Sequence, residues 1–411
     1  MANNIPSIIC HMKAASMMQV ALMERRCTLM LKAWRKETHM PNEQNMINKV
    51  TALDGSYITV HYERCVLVRN CNADCLRCAG VCTSGCISYD GNELTIDASK
   101  CIGCGTCATV CPTCCLEAHH PNDAELEQHC LEVAEQHDGD VCIACGTYLD
   151  MHGLGDGGSA AARVECLGRV EESLLVGLAA SGHGVTLVHG PCETCLHNSG
   201  RRMLDEVLDT RNKLLDAWGA QVPCALAQEL PWPAAAAQKE ATSYATEPNT
   251  AVNTQPKGEA SFLKVMEDGT LPHFVPDRRE RLLDSLASLG EPDDQVLATR
   301  LWGHVVIDMD KCHSCRMCSV FCPTGALSRF DEEDGTFGVE HYAGDCIKCR
   351  LCEGICMGGA ITVTDEVKAT DMLDGLTDRY EMKPLEVERS GPHTIVNMAR
   401  TFTGGTQVYE R

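Results

Sequence analysis

Aromatic side chains are scarce: 6 Phe, 8 Tyr and 4 Trp in 411 residues, too few for the stacking platforms that hold single-stranded nucleic acid or for a large apolar ligand pocket. Positive charge is scarce as well. Lys and Arg number 35 against 57 Asp and Glu, a formal charge of −22 at pH 7, and a surface of that sign repels a phosphate backbone and an anionic membrane alike. Nucleic acid is therefore not an expected partner. Long hydrophobic runs are missing: no window reaches the roughly 18–20 uncharged apolar residues of a membrane-spanning helix, so no direct membrane insertion is expected and the chain reads as cytoplasmic. The P-loop lysine motif, H-E-x-x-H and G-x-S-x-G are absent. At roughly 150 residues per domain the length allows two to three domains.

What the sequence has in excess is cysteine, 29 residues of it. Disulfide scaffolds are mostly short secreted chains, whereas this chain is long and sets most of its cysteines in C-x-x-C runs, the pattern of metal ligation in a reducing compartment. Residues 1–50 stand apart, with 8 of the 17 methionines and 7 basic residues against 3 acidic ones. Arg25-Arg26 ahead of an apolar stretch has the outline of a twin-arginine signal, but Lys32, Arg35 and Lys36 interrupt it. A basic, Met-rich leader is the plainer expectation.

A four-cysteine unit repeats four times, in two pairs. The far pair is Cys312, Cys315, Cys318 and Cys322, followed by Cys346, Cys349, Cys352 and Cys356. The near pair is Cys101, Cys104, Cys107 and Cys111, preceded by a looser copy at Cys71, Cys75, Cys78 and Cys82. A cubane [4Fe-4S] cluster takes one thiolate per iron, and three cysteines two residues apart on a tight loop reach three irons while backbone N–H groups point at the sulfides. The fourth must come from elsewhere. These stretches resemble bacterial-type two-cluster ferredoxins over about 65–118 and 303–365, including lead-in strands at 94–97 and 305–308. The resemblance implies two α+β ferredoxin-like modules, at 51–120 and 277–365, and four [4Fe-4S] clusters. It also implies cross-ligation: Cys71, Cys75 and Cys78 with Cys111, and Cys101, Cys104 and Cys107 with Cys82. At the far end it pairs Cys312, Cys315 and Cys318 with Cys356, and Cys346, Cys349 and Cys352 with Cys322. Zinc ribbons also use C-x-x-C pairs, but rarely the unbroken four-cysteine run ending in Cys-Pro. Cys71-x-x-x-Cys75-x-x-Cys78 alone matches the radical-SAM signature. However, only 22 residues separate Cys78 from Cys101 and no barrel pattern comes after it, so one inserted residue is the simpler account. Cys86 and Cys115 stand where the far runs have Ala326 and Ala360, and read as buried thiols.

Between the modules, residues 140–218 alternate β-branched runs at 141–143, 163–165 and 185–188 with helical periodicity at 170–180 and 203–218. This is a small α/β domain with a short parallel sheet. Cys142, Cys145, Cys166, Cys192 and Cys195 then gather at the carboxyl ends of its strands, where open α/β sheets bind ligands. Cys142-x-x-Cys145, Cys166-Leu167-Gly168-Arg169-Val170 and Gly190-Pro191-Cys192-Glu193-Thr194-Cys195 resemble the iron-sulfur delta subunit of methyl-viologen-reducing hydrogenases and the matching domain of heterodisulfide-reductase-associated proteins. The resemblance implies one [2Fe-2S] cluster and electron transfer between a hydrogenase or formate dehydrogenase and a flavoprotein. Which four of the five cysteines ligate is left open, with structural zinc or plain buried thiols as alternatives. Gly153-Leu154-Gly155-Asp156-Gly157-Gly158 satisfies G-x-G-x-x-G, but no strand runs into it and no helix has room after it, so it reads as a glycine loop. Residues 220–260, rich in Ala, Thr, Gln and Pro, are expected to be an extended linker that frees the second module to move. Residues 277–300 read as a helix and 366–411 as a tail without chemistry.

The motifs together predict an electron-transfer subunit of an anaerobic oxidoreductase complex, with no catalytic residues of its own. The alternatives are a cluster-containing enzyme, radical-SAM-like or flavin-linked, and an oxygen-sensing metal-binding protein.

Overall fold

In the first module β1 (Ile58–Val60) pairs antiparallel with β4 (Leu116–Ala118), and between them β2 (Ile87–Asp90) and β3 (Glu93–Ile96) form a hairpin. The computed structural model describes residues 57–70, 73–90, 93–233, 271–373 and 375–384, all within one compact unit, Tyr57–Arg411. The Met-rich leader, Cys71, most of the 220–260 linker and the tail beyond 384 lie outside the described residues. The core of this module packs Ile58, Leu67, Ile87, Leu94 and Leu116 around its cysteines.

In the middle of the chain β5 (Val141–Cys145), β6 (Ala162–Val164), β7 (Val185–Val188) and β8 (Cys224–Ala227) form a four-stranded, all-parallel sheet in the order β6-β5-β7-β8. Every residue of β5 is buried, as the central strand of a parallel sheet requires. Helices Asp123–Gln136, Glu172–Ala180 and Ser199–Ala217 accompany the sheet. The first is closed by a capping box of Asn122 and Glu125, which satisfies two otherwise orphaned N–H groups. One expectation changes here. Cys224–Ala227 falls in the stretch read as linker yet forms the fourth strand, and residues up to 233 are fastened to the domain: Trp232 Nε1 donates to Ala160 O at 2.8 Å and its ring stacks on His137 at 3.8 Å. The glycine loop at 153–158 is a turn in which Gly153, Gly155, Gly157 and Gly158 all have positive φ, so no helix starts there to hold a phosphate.

The second module repeats the first. β10 (His304–Ile307) pairs antiparallel with β13 (Ile361–Thr364), and β11 (Leu327–Asp331) and β12 (Phe337–His341) form the hairpin, widened by β15 (Asp378–Glu381). β9 (Val296–Ala298) pairs with β14 (Glu366–Lys368) outside it. The lead-in segments read as equivalent are not: 305–308 belongs to the strand before a first run, 94–97 to the hairpin strand before a second. Helix Asp277–Leu289 is shorter than expected because Gly290, at φ 106, ends it.

The second module is docked rather than free. One apolar cluster joins Val176, Ala179, Leu214 and Trp218 of the central domain to Leu282, Leu286, Trp302 and Val367 of the C-terminal part. Around it Arg278 reaches Asp123 at 2.7 Å, and Arg300 pairs with Glu172 through Nε at 2.6 Å. Arg300 Nη1 also donates to Thr109 O of the first module at 3.1 Å. Paired arginines and a shared core join the second module to the central domain in the described residues.

Candidate metal centres

Each four-cysteine run folds the same way locally. The third cysteine sits in a one-turn helix, Arg77–Val81, Thr106–Val110, Met317–Phe321 or Leu351–Ile355, and the fourth, Cys82, Cys111, Cys322 or Cys356, is the extended residue that ends it. Pro112 and Pro323 come next in two of these and forbid continuation. Ahead of three helices the loop places two residues in left-handed conformations: Gly103 and Gly105, Ser314 and Arg316, Lys348 and Arg350. Alternating hand of this kind turns successive N–H groups inward into a concave nest that binds anions, iron–sulfur clusters among them. Four of those six residues are not glycine, and each costs of order 1–2 kcal/mol of backbone strain. Side chains hold three of the four: Arg316 lies 2.8 Å from both Asp331 oxygens, Arg350 Nη2 donates to Asp365 at 2.7 Å, and Lys348 Nζ donates to Thr299 O at 2.7 Å.

The thiols of paired runs feel one another's charge. Burial pushes the Cys78 thiol up to about 12, and the negative charge of Cys111 adds to it. Burial also raises Cys104, with Cys82 and Cys101 adding to it. In the far module Cys356 bears on Cys312, while Cys322 bears on Cys346, Cys349 and Cys352. Cys315 is exposed but acts on Cys318, whose thiol burial raises to about 12. Burial raises the Cys75 thiol, and the charge of Cys111 adds to it; Cys71 is not described. Free thiolates are costly in such pockets, and a cation that coordinates them removes the cost. Donors are ready for the ligated form: Ser314 N to Cys312 Sγ at 3.5 Å, Cys115 N to Cys111 Sγ at 3.3 Å and Ala360 N to Cys356 Sγ at 3.3 Å. Hydroxyls two residues beyond the fourth cysteine do the same, Ser84 and Thr113 at 3.5 Å and Thr324 at 3.8 Å.

The central site gathers four of the five expected cysteines. Cys145, Cys166, Cys192 and Cys195 line one cavity with Thr147, Gly190 and His197, just past the carboxyl ends of β5, β6 and β7. Cys142 is not among them. It lies in the core beside Cys130, both fully buried, and burial alone raises its thiol to about 12. The physical reason is the period of two along β5, which sends Cys142 to the opposite face from Cys145 and keeps it three residues short of the strand's end. Backbone N–H groups donate to three of the four gathered sulfurs: Tyr148 and Gly190 to Cys145 at 3.4 and 3.2 Å, Gly168 to Cys166 at 3.4 Å, His197 to Cys195 at 3.5 Å. A Cβ on Gly200 would stand 2.2 Å from Cys166 Sγ, so only glycine fits there. His189 Nδ1 lies 3.8 Å from the fourth sulfur, that of Cys192, and His197 Nδ1 is buried without a hydrogen-bond partner. A set of four thiolates wrapped in N–H donors fits an iron–sulfur cluster.

Hydrogen bonds join the elements that carry these sites. Cys104 acts on Cys166, and the central domain is tied to the first module by Ser199 Oγ donating to Val81 O at 2.7 Å and Thr83 Oγ1 to Leu196 O at 2.8 Å. On the other side, Arg77 of the first module donates to Lys348 O at 3.0 Å and its charge reaches Cys349. Arg69 is buried; burial lowers its pKa, opposed by the charges of Cys322 and Cys349. Its Nε and Nη2 have no partner among the described residues.

Comparison with known families agrees with the cysteine runs. The 4Fe-4S dicluster domain matches residues 311–360, and the 4Fe-4S binding domain matches residues 94–113. The chain carries two iron–sulfur domains of the ferredoxin type. That makes it an iron–sulfur electron-transfer protein. Neither a curated protein nor a solved structure matches the chain. No helix among the described residues is long and apolar enough to cross a membrane.

Residues the sequence did not flag include Arg69 and Cys65. Cys65 hydrogen-bonds Cys115, which lowers it to about 7. A lone arginine and a lone cysteine carry no spacing signal that would have marked them.

Proposed function

We propose that the chain is an electron-conducting subunit with five centres in a single file. The order runs from the central four-cysteine site to the Cys101/Cys104/Cys107/Cys82 site, then Cys71/Cys75/Cys78/Cys111, then Cys346/Cys349/Cys352/Cys322, and ends at Cys312/Cys315/Cys318/Cys356. The observation that carries this reading is the set of hydrogen bonds across module borders beside the cysteine runs, Ser199 Oγ to Val81 O at 2.7 Å and Thr83 Oγ1 to Leu196 O at 2.8 Å on one side, and Arg77 Nη2 to Lys348 O at 3.0 Å on the other. Four [4Fe-4S] clusters and one [2Fe-2S] cluster would supply one-electron carriers at potentials between about −700 and +450 mV. The chain's own residues hold the thiolates, exclude water and donate N–H and O–H groups to sulfur. The partners proposed are a hydrogenase or formate dehydrogenase at one end and a heterodisulfide-reductase-like flavoprotein at the other.

The test is an anaerobic count of iron and acid-labile sulfide per polypeptide, for which this ligand set predicts about 18 irons. A count near 16 removes the two-iron centre, and a count near zero removes the reading. Position in the file is tested by Cys349→Ala. It is expected to lower iron by about four and to abolish electron passage between the two ends, while the outer centres stay reducible by a small dye.

A further inference from the structure

Away from the cysteine sites, the second module brings His304, His341 and Asp378 together, one ligand atom from each lying within 4.8 Å of the other two. They come from β10, β12 and β15. His341 and Asp378 face each other in the β12–β15 ladder, so their side chains leave the same face of the sheet. The His304 ring stacks on that of His341 with 5.5 Å between centroids. His304 Nε2 lies 2.5 Å and His341 Nδ1 lies 3.7 Å from the same oxygen of Asp378. His341 is fully buried, yet neither ring nitrogen has a hydrogen-bond partner. The nearest hydroxyl of β15 is committed elsewhere, Tyr380 donating to Val305 O at 2.7 Å.

A buried imidazole with both nitrogens idle is a cost that folded proteins avoid, and the pairing of His304 with Asp378 leaves it in place. A cation at the shared focus of the three groups takes up one of the two nitrogens and removes part of that cost. We propose that His304, His341 and Asp378 bind one divalent transition-metal ion of the zinc type, with a fourth position open to solvent. Two imidazoles and a carboxylate suit zinc rather than magnesium or calcium, which take oxygen ligands. Tetrahedral ligands about 2.0–2.1 Å from zinc lie roughly 3.3 Å apart, so the 3.7 Å separation already fits and the closer pair opens by less than about 1 Å. The His304 and Asp378 side chains are 32% and 33% exposed, which gives the ion a way in. Bound there, it clips β15 to both β10 and β12.

The test uses the full chain with its clusters, prepared without oxygen, given one equivalent of Zn²⁺ and passed through a desalting column with a weak chelator. The expected result is one zinc per chain whose X-ray absorption shows only nitrogen and oxygen ligands at about 2.0–2.1 Å. His304→Ala and Asp378→Asn, both at the exposed side of the site, should retain at least tenfold less zinc with iron unchanged. No retained zinc, equal retention by the variants, or a sulfur shell at about 2.3 Å, which places zinc in a cysteine site, overturns the proposal. Iron is read from the same sample, so a failure of the cluster assignment shows separately.

Discussion

Cys86 and Cys115 are where the two modules differ most in chemistry. Cys86 Sγ lies 3.4 Å from Cys82 Sγ, and the Cys115 thiol donates to Cys111, which holds Cys111 below and Cys115 above the usual thiol range. The far module has Ala326 and Ala360 at these places. A donor to a ligating sulfur favours the more negative, reduced state. Cys86→Ala and Cys115→Ala are therefore expected to lower the potentials of the near-module centres. At about 1 kcal/mol per hydrogen bond the shift is roughly 40 mV for one electron, read by potentiometric titration. Gly200→Ala, which drives a Cβ into Cys166 Sγ, should cost about two irons and leave the four-iron signals intact. The runs at 101–111 and 312–356 were legible at this scale as 4Fe-4S-binding stretches, because their cysteine spacing is itself the pattern that the matching domains carry. Which central cysteine stands aside was not, since Cys142-x-x-Cys145 is a ligand-like spacing that β5 converts into opposite faces.

Among the elements, helix Asp277–Leu289 does most to fix the assembly, and Asp123 is its anchor. Burial works against ionisation of Asp123, but Arg278 and Arg169 override it and hold the carboxyl well below the usual carboxylate range; Arg281 also lies 3.2 Å away. Because the folded value is depressed, the stabilisation is fully present above the unfolded value near 3.9 and fades as pH falls below it. Asp123→Asn is expected to lose about 3 kcal/mol, a difference from wild type that stays constant from neutral pH to about 5 and shrinks below about 4. Denaturation midpoints across pH check it. The parallel sheet was readable from its β-branched runs. The docking was not. A Pro- and Ala-rich stretch announces a linker, while the arginines that fasten the second module find partners far along the chain: Arg278 at Asp123 and Arg300 at Thr109. No local pattern records such a relation.

At the scale of the whole molecule, the formal charge of −22 acts on whatever delivers electrons. A cationic viologen is expected to exchange electrons faster than an anionic reductant of similar potential, and the gap should narrow as salt screens the field. Stopped-flow rates over a salt series measure it. Function was legible here as a class, because four-cysteine runs are specific, whereas donor, acceptor and direction lie in surfaces that spacing does not encode. Arg69 bears on how the molecule behaves between encounters. Its buried guanidinium feels the Cys322 and Cys349 charges, so an electron added to a centre held by those thiolates would meet a fixed positive charge that offsets part of its cost. In the proposed file of centres, that fixed positive charge at the border would let the chain store charge as well as pass it.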